Sequence, residues 1–234
     1  MTKNPSEFEN MVTDYFKKEY NSVQLYGRKG QKQYGIDIII TFINSNREHE
    51  FIVVQCKNYS PKETELDDIM QLIQQSKMID SKSTKQKFWD MFVIDSLIGN
   101  TDRHNGNWGF LLNKTTRKAE FSPIYDCGSC LNPMLEEQEI EGFNEVELKN
   151  LVVNCYSCIK EDGKKINYMS FIKQKKNEEC NNAIKRLFAN INIDEIKKFI
   201  NNIECMSDVR KEFYKDIIGQ RYEIIKRVYA EIKN

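Results

Sequence analysis

The feature that most constrains this chain is the run Asn100-Thr101-Asp102-Arg103-His104-Asn105-Gly106-Asn107 and what flanks it. Before it, residues 88–98 are strongly apolar with helical spacing, and Gly99-Asn100 is a stop signal. After it, residues 108–112 and 119–125 read as two strands around a polar turn. The second strand leads into Pro123-Ile124-Tyr125-Asp126-Cys127-Gly128. A hairpin returns the chain to its starting point, so Asp126 is expected beside the loop that carries Asp102 and Asn107.

Asp102 and Asn107 stand five positions apart, with the spacing of a phosphoryl-transfer loop in which an Asp accepts the proton of the attacking hydroxyl and an Asn oxygen holds magnesium. Asp126 then falls where a second magnesium ligand is needed, in an Asp-x-Gly turn. Magnesium prefers hard oxygen donors and keeps several waters, so two side-chain oxygens and the phosphates of ATP complete its octahedron. Any one of these residues, taken alone, is as well explained as a turn former, because Asn and Asp hydrogen-bond their own backbone. The order helix, Asp-x-x-x-x-Asn, hairpin, Asp-x-Gly is what favours a site.

The segments around these residues, Phe88-Trp89-Asp90-Met91-Phe92-Val93, Gly99 through Phe110, and Pro123 through Cys130, resemble the C-terminal lobe of HipA-like serine/threonine kinases, nearest in wording to the CtkA type. The resemblance extends from about residue 87 to the C-terminus and takes in Lys165-Ile166-Asn167-Tyr168 and the helix opening at Met206-Ser207. It implies a protein substrate, ATP and Mg2+ as cofactors, Asp102 as catalytic base, Asn107 and Asp126 as metal ligands, and His104 as a catalytic-loop residue that orients its neighbours.

The N-terminal region reads differently. Pro5-Ser6 opens an amphipathic helix through Phe8, Met11, Val12, Tyr15 and Phe16, and strands are expected over 22–26, 35–43 and 50–57. A second helix follows on Leu66, Ile69, Met70, Leu72 and Ile73. Glu9 in the first helix, Asp37 on one strand, and Gln55 and Lys57 on its hairpin partner resemble the Mrr-like branch of the PD-(D/E)xK nucleases. There Asp37 would bind metal, Gln55 would stand at an acidic position, Lys57 would position water and Glu9 would reach in from the helix, with DNA as partner. Gln in place of a carboxylate weakens such a metal site, and a further strand of that fold is missing. The same segment offers a weaker alternative: a phosphate loop on Gly27, Gly30 and Gly35, with Lys57 gripping ATP and Glu63 or Glu65 as its partner. These glycines do not make Gly-x-Gly-x-x-Gly. Arg28, Lys29 and Lys32 fit a solvated turn.

The expected architecture is therefore α+β: an α-β-β-β-α nuclease-like unit over 1–79, a linker over 80–87 where no apolar residue occurs, and a mostly helical kinase-like lobe with a β-hairpin over 88–234. Helices are expected over 146–153, 168–172, 180–188, 194–200 and 207–233. Lys plus Arg equals Asp plus Glu at 35 each, which removes any net basic field for non-specific nucleic-acid binding. No apolar run reaches the roughly 18 residues of a membrane span, so no membrane partner and a cytoplasmic location are expected.

Seven cysteines, an odd number, argue for reduced thiols. Cys127-x-x-Cys130 and Cys155-x-x-Cys158 have near-zinc-ribbon spacing, which makes structural zinc the alternative cofactor. Against zinc, the second pair sits on a run read as an apolar helix without a knuckle Gly or Pro, and the first belongs to the turn after Asp126. Two further readings stay open beside the kinase: a metal-dependent nuclease with a regulatory lobe, and a composite of both folds with neither activity.

Overall fold

The structure is a computed structural model and describes residues 17, 22–25, 38–43, 49–54, 64–112 and 118–233. The chain divides into two compact units, Met1–Ser60 and Pro61–Asn234.

The first unit holds an antiparallel sheet of three strands in the order β1 (Ser22–Leu25), β2 (Ile38–Ile43), β3 (His49–Val54). The β-branched run of β2 suits a pleated strand, and it pairs with β3 from Ile38↔Val54 to Ile43↔His49. The expected opening helix lies outside the described residues, as do Glu9, Asp37, Gln55 and Lys57.

The second unit begins at β4 (Thr64–Glu65) and α1 (Leu66–Gln75). Leu66, Ile69 and Ile73 of α1 are buried in the same core as the aromatic residues of α2 (Ser81–Ile98). Two expectations need correction here. Helix α1 belongs to the second unit, so the boundary falls near residue 60 and not at 80–87. The presumed linker is the capped beginning of α2: Asp80 accepts a hydrogen bond from the Ser83 N–H at 2.6 Å, and the polar residues that follow form its first turns. Absence of apolar residues there reflects an exposed helix start.

Phe88, Trp89, Met91, Phe92, Val93 and Leu97 make α2 the central helix, apolar nearly all round and buried accordingly. Its rings pack against Trp108, Tyr168 and Phe171 at centroid distances of 5.0–5.8 Å. A short hairpin, β5 (Phe110–Leu112) and β6 (Ala119–Phe121), follows in the expected place, with Phe110 opposite Phe121. Then come α3 (Glu137–Gly142), opened by a Glu136/Glu139 capping box, and α4 (Glu145–Val153).

A third correction concerns the run expected to be helical around Cys155–Cys158. It is strand β7 (Tyr156–Glu161), paired antiparallel with β8 (Lys164–Asn167) and parallel with β4. The turn between β7 and β8 is Asp162-Gly163, with φ of 53° and 74°, the left-handed pair that a two-residue hairpin demands. Helices α5 (Tyr168–Gln174), α6 (Glu178–Phe188), α7 (Ile193–Asn201) and α8 (Asp208–Ile232) complete the unit. Ser207 caps α8 by accepting from the Arg210 N–H. The architecture is α+β, as the sequence indicates. Among the described residues no helix is long and apolar enough to cross a membrane.

Candidate active site

The site is built where α2 ends. Gly99 closes the helix at φ 70°, and its N–H returns to the Asp95 carbonyl. A Cβ there would stand 2.1 Å from Nη1 of Arg221, a buried side chain that donates to the carbonyls of Leu151 and Val152. Glycine is thus required twice at this position, for the backbone angle and for the close approach of a guanidinium.

Asn100, fully buried at 0% exposure, connects three segments. Its Nδ2 donates to Asp95 Oδ1 (3.1 Å), its Oδ1 accepts from the Asp102 N–H (3.1 Å) and the Ser129 hydroxyl (2.7 Å), and its carbonyl accepts from the Tyr168 hydroxyl (2.8 Å). Burying an amide side chain is tolerable when every polar atom is partnered, and here they are.

Asp102 follows with its side chain 47% exposed. Its carbonyl accepts from Asn107 Nδ2 at 2.8 Å, and the same Nδ2 lies 3.5 Å from Asp102 Oδ2. With its nitrogen committed inward, the buried Asn107 amide keeps Oδ1 as the atom suited to a cation. His104 accepts from the Gly106 N–H through Nδ1 (2.9 Å), and its Nε2 is 3.9 Å from Asp102 Oδ2. That geometry makes it a brace of the loop beside the carboxylate. Asn105 is tied to the start of the unit, accepting from the Thr64 hydroxyl at 2.7 Å.

Sequence reasoning missed Arg103 and Asp95. Both are 1% exposed and form a two-pronged ion pair, Nε to Oδ2 at 2.8 Å and Nη2 to Oδ1 at 2.9 Å. Arg103 Nη1 also donates to the Asn107 carbonyl (2.5 Å) and the Tyr125 carbonyl, with the Asp126 carbonyl 3.5 Å away. Burial alone would lower the guanidinium pKa; the hydrogen bond and charge of Asp95 outweigh it and hold the group above its ordinary value. The available signal was Asp95 itself, a carboxylate inside an apolar helix that needs a cationic partner.

Asp126 is exposed and held at φ 54°, a left-handed angle that Asp tolerates better than most residues. Its loop is joined to the Asp102 loop by Arg103, by the Tyr125 hydroxyl donating to the Gly106 carbonyl (3.2 Å) and by Ser129 on Asn100. The structure therefore brings the loops of Asp102, His104, Asn107 and Asp126 together. Glu65, the described member of the alternative lysine-partner pair, instead accepts from the Gly163 N–H at 3.4 Å.

The cysteine pairs lie in different settings. Cys127 is exposed in the turn, its Sγ 3.4 Å from Arg103 Nη2, while burial first and the neighbouring Cys127 second push the Cys130 thiol up to about 12. Cys155 and Cys158 are buried, and the Cys158 thiol donates to the Thr101 carbonyl at 3.1 Å. Among the described residues no group of three or more His, Cys, Asp or Glu side chains gathers as a metal cage. One carboxylate and one carboxamide oxygen, from Asp126 and Asn107, fit magnesium whose shell is completed by waters and phosphates. A separate cavity of about 460 Å3 opens between α4, α7 and α8, near Lys149, Lys197 and Gly219, and contains none of these residues.

Residues 2–86 match the family model described as restriction endonuclease. The serine/threonine-protein kinase CtkA of Helicobacter pylori is 40% identical over 166 residues, which cover 69% of this chain and 51% of that protein. The crystal structure of a Helicobacter pylori proinflammatory kinase, CtkA, is similar with a TM-score of 0.71 and 38% identity, covering 74% of this chain and 64% of that one. The chain thus spans about half the length of the curated relative it matches. Residues 47–192, more than half of the sequence, match the HipA-like C-terminal domain, and the chain belongs to that family.

Proposed function

We propose that this protein is an ATP- and magnesium-dependent protein serine/threonine kinase of the HipA-like type. The observation that carries the proposal is the fixed relation of three groups: Asn107 turns its amide nitrogen onto Asp102, and Arg103 binds the carbonyls of Asn107 and Tyr125 with one nitrogen. The similarity to a serine/threonine kinase supports the substrate class.

In this reading Asp102 accepts the proton of the substrate hydroxyl, and its half-exposed carboxylate is reachable from outside. Asn107 Oδ1 and Asp126 hold magnesium, while His104 and Asn100 keep the loop in shape. When bound, magnesium bridges phosphate oxygens and neutralises the charge that develops on them. A cytoplasmic location suits the odd number of cysteines in the sequence, which argues for reduced thiols over a disulfide framework.

A second reading, a DNA nuclease in the first unit, is favoured by the restriction endonuclease match and by the β2–β3 pair. That pairing ends at Ile38↔Val54, next in sequence to Asp37 and Gln55. Labelled ATP with magnesium, and separately DNA with magnesium, decide between the readings. Asp102→Ala and Asp126→Ala should each lower phosphotransfer at least about 100-fold. Transfer that persists in both variants would sink the kinase proposal. DNA cleavage lost in Lys57→Ala but kept in Asp102→Ala would establish the nuclease, and neither activity in the wild type would leave the non-catalytic composite.

A further inference from the structure

The two cation ligands proposed above come from loops 19 residues apart, so something other than chain connectivity must set the gap between them. Arg103 is placed to do this. Its Nε and Nη2 are fixed on the two oxygens of Asp95, which rides on the rigid central helix α2. The third nitrogen, Nη1, is then aimed by the planar guanidinium at the carbonyls of Asn107 and Tyr125, each belonging to or preceding a ligand residue. Neither Arg103 nor Asp95 is exposed enough to meet a substrate, and the proposed mechanism gives them no chemical step.

A purely stabilising role is a poor explanation for this pair. Buried ion pairs are often matched or exceeded in stability by apolar residues of similar volume, and their best-attested use is to select one arrangement among several. The rest of the α2 surroundings is already apolar and well packed. What an apolar pair cannot supply is a single donor shared by two backbone carbonyls.

We infer that Arg103, held by Asp95, is a positioning residue that sets the spacing of Asn107 and Asp126, and so the affinity of the site for its cation. The inference rests on the reading of those two residues as magnesium ligands. The partners of metal-binding groups typically change metal affinity by about 10–100-fold when removed. Arg103→Lys is the informative substitution, because an ammonium keeps the charge beside Asp95 but cannot fork and reach the carbonyls as well.

Two measurements on the full chain test it. In wild-type protein, hydrogen exchange of residues 104–109 and 123–130 should show one shared opening, since one guanidinium holds both; independent openings would overturn the inference without any variant. In Arg103→Lys, both segments should lose protection together, and the magnesium concentration for half-maximal ATP binding should rise about tenfold. Phe188→Leu, remote in the α6–α8 packing, should lower the melting temperature and leave that concentration unchanged. Equal shifts in both variants, or an unchanged magnesium requirement in Arg103→Lys, would reduce Arg103 to a structural residue. Failure of the wild type to bind ATP with magnesium would strike at the kinase proposal, and the exchange result would still decide the clamp.

Discussion

The loop that carries Asp102 and the loop that carries Asp126 are built in opposite ways, although each is read as supplying one side of a single site. The first is anchored from within and cross-braced: Asn100, Arg103 and Asn107 are at most 5% exposed, and side chains of Asn100, His104 and Asn107 tie its bends. The second is exposed from Pro123 to Gly128 and turns on left-handed residues at Asp126, Leu131 and Asn132. It holds its place by contacts with the first loop and with α2, including the Leu131 N–H on the Ile98 carbonyl at 3.0 Å. Rigidity is concentrated around the proposed base, and the exposed ligand takes its position from there.

Substitutions should reproduce that asymmetry. The largest effect is expected for Asp95→Ala, which strands the Arg103 guanidinium in the interior and should cost about 3–5 kcal/mol, measured by urea unfolding. Gly99→Ala should come next, at about 2 kcal/mol or more, because a left-handed angle and a clash with Arg221 act together. Similar stabilities for these variants and for substitutions in the exposed loop would erase the distinction. Asp126→Gly should go the other way, gaining up to about 1 kcal/mol by relieving the left-handed angle while it abolishes cation binding.

The smallest effect concerns the thiols and sharpens the contrast between the two Cys-x-x-Cys pairs. At pH 8, alkylation followed by peptide mapping should find Cys127 and Cys205 modified first, since both are exposed. Cys130 and Cys180, each pushed up to about 12 chiefly by burial, hold almost no thiolate at that pH and should react only as the pH rises toward their shifted values. Rapid modification of Cys155 or Cys158 would contradict their buried placement on and beside β7.

What was legible in the sequence was local. Asp102, Asn107 and Asp126 could be picked out because residue type and spacing survive without knowledge of the fold, and the long helices because their apolar period runs for several turns. Arg103 was not, because its ion-pair partner lies 8 residues before it and the Tyr125 carbonyl 22 residues after it. Still, Asp95 within an apolar helix was an unanswered charge that pointed to a buried cation. The apolar run around Cys155–Cys158 suits a helix as well as a strand, and the local signal for the β7–β8 hairpin is Asp162-Gly163. The beginning of α2 resembles a linker because an exposed helix start carries no apolar residue, although Asp80 three positions before Ser83 is a capping signal. The proposed nuclease residues fall outside the described part of the first unit, where sequence alone speaks for them.

Asn107 and Asp126 are proposed to hold one cation between them. Manganese binding in the presence of a non-hydrolysable ATP analogue, followed by electron paramagnetic resonance, tests it through the single variants Asn107→Ala and Asp126→Ala and the double variant. If the two residues share an ion, each single change should weaken binding strongly and the double change should add little, a coupling well above the roughly 0.5 kcal/mol expected of independent sites. Losses that simply add, or full manganese affinity in either single variant, would show that the two loops do not form one site.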